Sequence, residues 1–134
     1  MYEYGDVQII VALVLFMLLL LLGISFLGSR LLDRRYPPDG RFMEIGKARI
    51  HYNDNGKGTA IVCLHGASSN ARDMEESIAP LLVGDFRMVT VDRPGLGHST
   101  RPGTGWWSPL DQANAVREVL SRLGIRRPVL LGHS

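Results

Sequence analysis

From Val7 to Gly28 the chain runs for 22 residues without a charged side chain, and only Gln8 and Ser25 interrupt its apolar character. As a helix, such a run would be about 33 Å long at ~1.5 Å per residue, enough to cross a hydrocarbon core of ~30 Å. A cleaved signal peptide is the rival reading. It needs a positive leading segment and a shorter apolar core of roughly 7–15 residues. Met-Tyr-Glu-Tyr-Gly-Asp precedes the run here, with no Lys or Arg and no small-residue cleavage site after it. A buried core helix fits less well, because a helix apolar all round needs a large protein to cover it. Retained membrane anchoring through residues 7–28 is therefore the expectation, with 1–6 as a short tail.

Charge sets the expected orientation. Arg30, Arg34 and Arg35 follow the run, offset by Asp33, while Glu3 and Asp6 precede it. The positive-inside rule then places the N-terminus outside and the rest in the cytoplasm. Cys63, the single cysteine, is compatible with a reducing compartment and excludes a disulfide framework within the chain. The apolar content of 46% excludes a disordered chain. Fifteen basic side chains are scattered rather than gathered on one segment, which argues against a nucleic-acid binder.

Residues 29–40 read as a basic linker closed by Tyr36-Pro37-Pro38-Asp39-Gly40, and 41–134 as one α/β domain. Strands are expected at Phe42–Ile45 and Ala48–Asp54, turning at Gly46-Lys47. Ala60–Leu64, Met88–Val91 and Val129–Leu131 are continuous apolar runs, the pattern of strands covered on both faces. A helix is expected over Ala71–Leu82, capped by Ser69 or Asn70, with Met74, Ile78, Leu81 and Leu82 on one face. Ser108-Pro109-Leu110-Asp111 gives a second helix an N-cap, Pro at its first position and a capping box. Val116, Val119, Leu120 and Leu123 form its apolar stripe, and Gly124 ends it. Strand alternating with helix implies a mostly parallel sheet with helices on both faces.

In such sheets function gathers at the carboxyl ends of the strands. The loops leaving those ends are Leu64-His65-Gly66-Ala67-Ser68-Ser69-Asn70, then Asp92-Arg93-Pro94-Gly95-Leu96-Gly97-His98-Ser99, then Gly132-His133-Ser134. Gly-His-Ser occurs twice. A nucleophile elbow, G-x-S-x-G, holds its Ser on a tight strand-to-helix turn where small neighbours are needed. Gly97-His98-Ser99 continues as Thr100-Arg101, without the second Gly. Gly132-His133-Ser134 follows an apolar strand directly and matches the first three positions of the motif.

Together and in this order, the three segments resemble the α/β-hydrolase family, over roughly residues 40–134 and the N-terminal half of its fold. The resemblance implies that Ser134 is the nucleophile and that His65 and Gly66 form the oxyanion loop. Ala67 would supply one backbone N–H donor, and the residue after Ser134 the other. In the family's chain order the acid and the general-base His follow the Ser. An ester or related acyl substrate, hydrolysed through an acyl-enzyme, is then the expected reaction, with a C–C bond hydrolase or a haloperoxidase-like enzyme as alternatives. Without the base and the acid, the 134 residues alone are expected to be inactive. A different class stays open: a non-catalytic, membrane-anchored binding module.

The remaining signals have plainer readings. No pair among His51, His65, His98 and His133 has metal-ligand spacing, so no metal is expected. Gly95-Leu96-Gly97 lacks the third glycine of a dinucleotide loop, since position 100 is Thr, and no cofactor is expected. Asp92 precedes the Ser, against the family's order for a catalytic acid, and His51 lies on a hairpin strand. Both read as structural. Trp106-Trp107 reads as packing ahead of the second helix, and Ser68-Ser69-Asn70 as capping.

Overall fold

A computed structural model of the chain describes residues 4–82, 84–101, 103 and 107–133. It divides into two units, 1–37 and 38–134. The first unit is one helix, α1 (Tyr4–Arg35), of 32 residues, about 48 Å long at ~1.5 Å per residue. It passes the length and hydropathy tests of a membrane span, and its apolar side chains are exposed. Residues 29–35, assigned from sequence to a linker, continue this helix. Arg, Leu and Asp are compatible with helix, and the break comes only where Pro37 follows Tyr36.

The second unit is built on a five-stranded sheet with the order β1-β2-β4-β3-β5. Its strands are β1 (Arg41–Ile45), β2 (Ala48–Asn55), β3 (Ala60–Leu64), β4 (Arg87–Val91) and β5 (Val129–Gly132). The hairpin β1–β2 pairs in register Arg41↔Tyr52 to Ile45↔Ala48, and β2 joins β4 antiparallel. β3 lies parallel between β4 and β5, in register Leu64↔Val91 and Leu64↔Gly132. The sheet is thus mixed, with its parallel part where the chemistry-bearing loops leave. Because β3, β4 and β5 share one direction, their carboxyl ends meet at one edge.

Helices cover both faces. Helix α4 (Pro109–Arg122) buries Val116, Val119 and Leu120 against Ile50, Tyr52, Val62, Val89 and Val91. Its start carries the capping box, in which the Ser108 side chain accepts from Asp111 N–H and the Asp111 carboxylate accepts from Ser108 N–H. On the other face α2 (Ala71–Ser77) and α3 (Ala79–Leu82) lie over Ile61, Cys63 and Met88. One helix had been expected over 71–82. It breaks at Ile78, the C-cap of α2, because Pro80 has no N–H to continue the ladder. The break shifts the helical phase: Met74 is buried, Ile78 and Leu82 pack on the core, and Leu81 is 80% exposed.

β5 departs from its expected burial. Val129 and Leu130 are 53% and 62% exposed: among the described residues β5 is the outermost strand and pairs with β3 alone. An apolar strand with an open edge is a ready template for another strand.

Candidate active site

His65, at the end of β3, is buried, and both of its ring nitrogens are used. Nδ1 lies 2.8 Å from the carbonyl oxygen of Gly66 and donates to it. Nε2 accepts from Arg93 N–H at 3.0 Å. Those two bonds require a neutral ring with its proton on Nδ1. Burial pushes the His65 pKa down, against the opposing pull of the Gly66 carbonyl and Asp92. Nε2 is also 3.8 Å from Asp92 Oδ1. With no proton on Nε2, that approach is not an ion pair. The ring braces the loop after β3 against the loop after β4.

Asp92, next after β4, closes the other end of the same loop. It is 1% exposed. Its Oδ1 accepts from Ala71 N–H, the first residue of α2, at 2.7 Å. Oδ2 accepts from His98 N–H and from the His51 ring, each at 2.9 Å. Gly97 makes this possible. It has φ +52°, and a Cβ there would overlap the Asp92 carboxylate. Ser99 finishes the turn: its hydroxyl donates to Asp92 O at 2.7 Å and accepts from His51 N–H at 2.9 Å. The segment 92–99 is therefore folded around one buried carboxylate. Asn70 caps α2, its side chain accepting from Asp73 N–H.

The third loop begins beside the first. His133 N–H donates to Leu64 O at 3.0 Å, continuing the β3–β5 ladder. The residue before Ser134 is thereby held against the residue before His65. Ser134 itself lies outside the described residues, as does Trp106. Ala67, in the loop after β3, is exposed. A cavity of about 940 Å³ runs beside these loops between α4 and β5. Val116, Leu120 and Leu130 line it, together with His65, Arg93 and His133. Arg93 Nε is buried there with no hydrogen-bond partner among the described residues.

Sequence reasoning missed two features. One is the carboxylate of Asp92 joining three segments. The other is Glu75, which accepts from both Asn53 and Thr90 and so ties α2 to β2 and β4. The Cys63 thiol lies near this group, and burial, followed by the Glu75 charge, pushes its pKa up. Cys63 is a free, buried thiol of the core. Among the described residues no three His, Cys, Asp or Glu side chains converge as metal ligands would.

Comparison with known proteins follows the same lines. The model of the alpha/beta hydrolase fold matches residues 59–134. The chain is 33% identical over 93 residues to a 2-hydroxy-6-oxo-6-phenylhexa-2,4-dienoate hydrolase of Burkholderia cepacia, covering 67% of this chain and 32% of that one. It is 31% identical over 97 residues to haloalkane dehalogenase 2 of Mycobacterium bovis, covering 72% and 34%. Among solved structures it resembles Est816, an N-acyl homoserine lactone degrading enzyme, with a TM-score of 0.64 and 31% identity over 70% of this chain and 36% of that one. The chain thus spans about a third of the length of the curated relatives it matches.

Proposed function

Since this chain belongs to the α/β-hydrolase family, a family of hydrolases, we propose that it carries the nucleophile and one oxyanion donor of a membrane-anchored serine hydrolase. The substrate class is a small ester or related acyl compound. One observation carries the reading: His65-Gly66-Ala67 and His133, next before Ser134, leave adjacent parallel strands at one edge, joined by the His133–Leu64 hydrogen bond.

In this reading Ser134 Oγ attacks the substrate carbonyl carbon, and its proton passes to a general base. The carbonyl oxygen becomes an oxyanion, accepted by Ala67 N–H and by the N–H after Ser134. Collapse of that intermediate expels the alcohol, which takes the proton, and leaves an acyl-enzyme that water hydrolyses. Neither His51 nor His65 is the base, since each has both ring nitrogens engaged within the fold. In the family's chain order the general base and its acid follow the Ser, and the relatives matched are about three times as long as this chain. α1 anchors the protein, with the hydrolase unit on the cytoplasmic side given by Arg30, Arg34 and Arg35.

C–C bond hydrolysis by the same Ser is a second reading, favoured by the match to the Burkholderia hydrolase. Dehalogenase-type attack by a carboxylate is disfavoured, because position 134 is Ser. The test is turnover of short p-nitrophenyl esters by the protein expressed from its own gene and extracted from membranes. Activity lost in Ser134→Ala supports the reading. Activity unchanged in that variant, or absent in the native protein, overturns it in favour of a binding module.

A further inference from the structure

The loop from His65 to Ala71 is clamped at both ends by neighbouring residues of one other segment. Arg93 N–H holds the His65 ring at its start, and the Asp92 carboxylate holds Ala71 N–H at its end. Between those clamps sits Ala67. The path of the backbone through Ala67 is therefore held from two points, one of which is the Asp92 carboxylate.

That carboxylate is oriented from the far side of the sheet edge. We infer that His51, on β2 and distant in sequence from every loop at the site, is a positioning residue for the oxyanion loop, acting through Asp92. The inference rests on the serine-hydrolase reading above for its catalytic meaning, and on geometry alone for the positioning. His51 is buried, with its ring between those of Phe42 and His98 at centroid distances of 5.1 and 5.2 Å. Its Nε2 accepts from Gly40 N–H at 3.1 Å, so the ring proton is on Nδ1, 2.9 Å from Asp92 Oδ2. The ring is thus a one-way chain: Gly40 N–H to Nε2, then Nδ1–H to Oδ2, with Oδ1 of the same carboxylate receiving Ala71 N–H.

Its backbone is fixed as firmly. His51 O accepts from Asp92 N–H at 3.0 Å, and His51 N–H donates to Ser99 Oγ. The ring therefore starts from a point tied to both ends of the 92–99 turn and cannot drift from the carboxylate. Gly40 is as constrained as its partner: a Cβ there would crowd Tyr52 O, the Asn53 side chain and His51 Nε2. A ring needed only for packing would have no use for two buried, partnered nitrogens. Polar groups are buried at this cost when their bonds orient something.

The experiment uses the full chain in detergent micelles and three variants. His51→Asn keeps a donor near the position of Nδ1 and loses the acceptor for Gly40. His51→Gln offers an acceptor near the position of Nε2 and has no donor at the position of Nδ1. His51→Phe removes both. Amide exchange is read at Ala71 and His98, which bond to Asp92, and at Val89 as the reference for global opening, with 15N relaxation at Ala67. Expected is exchange at Ala71 and His98 at least about tenfold faster in H51Q and H51F, beyond any change at Val89. Added mobility at Ala67 should accompany it, with H51N close to wild type.

Equal acceleration at all these amides would show global destabilisation only and overturn the inference. So would unchanged exchange in H51Q, or an H51N variant as loose as H51F. In the native protein, ester turnover should fall in kcat with KM retained for H51Q. A wild-type protein with no esterase activity would instead remove the serine-hydrolase reading while leaving the exchange result to decide the positioning.

Discussion

Asp92→Asn removes a charge and changes almost no volume, so its effect isolates what the carboxylate does. The carboxylate accepts three N–H bonds, at 2.7 Å on Oδ1 and 2.9 Å twice on Oδ2. An amide has one accepting oxygen. Turned toward His51 and His98, it keeps two bonds and sets its NH2 against Ala71 N–H. Turned the other way it keeps one bond and confronts two donors. The better orientation still loses one charge-assisted bond, about 1.5–3 kcal/mol, and leaves a buried donor unpaired. The two surviving bonds also lose their ionic component, which is about half of their strength. A loss of about 3–4 kcal/mol follows, a large part of a total near 5–15 kcal/mol. The assay is urea unfolding of the full chain in mild detergent, followed by Trp fluorescence, with the m-value checked for constancy. If the buried charge were instead a desolvation burden left uncompensated, Asn would be neutral or stabilising. A loss below about 1 kcal/mol, or any gain, would refute the reasoning.

Three further outcomes are expected. His65 has its pKa lowered by burial, so the folded state stays neutral where the unfolded state, near 6.5, already binds a proton; its contribution is complete above pH 6.5 and declines as pH falls below that value, and an urea midpoint that is flat between pH 7 and 5.5 would contradict it. Gly97→Ala combines a left-handed φ with overlap on the Asp92 carboxylate, and should cost at least about 2 kcal/mol in the same assay, well above the ~1 kcal/mol of an unhindered left-handed residue. Ser108→Ala removes the N-cap of α4 and should cost about 1 kcal/mol, measured as a lower midpoint with unchanged m.

What the sequence made legible was local. The capping box of α4 needs only Ser108 and Asp111 three residues apart, and its stripe of Val116, Val119 and Leu120 needs only helical spacing. The strand runs at 60–64 and 88–91 were read from apolar character, and the second strand begins one residue earlier, at Arg87. The exposure of Leu130 was not legible from its strand alone, since the burial of a strand depends on whether another pairs beside it. The hidden part of the site has the same cause. Residues 51, 71 and 92 meet at one carboxylate through the β2–β4 and β3–β4 pairings, and no spacing along the chain announces a meeting of three segments. A partial signal was present: Gly97 five residues after Asp92, followed by Ser99, is the pattern of a turn built around an acid. The break at Ile78 was readable from Pro80 two residues on, and an unbroken amphipathic stripe concealed it.

The proposed reaction requires Ser134, two residues beyond β5 in the sequence, to act as the nucleophile. The most direct measurement is site mapping by mass spectrometry after the protein, expressed from its own gene and extracted from membranes, is treated with a fluorophosphonate. The account predicts a covalent phosphonyl adduct on the peptide containing Ser134, absent after heat denaturation and absent in Ser134→Ala. Quantitative recovery of that peptide without the adduct, or an adduct on Ser99 or another hydroxyl in its place, would contradict it.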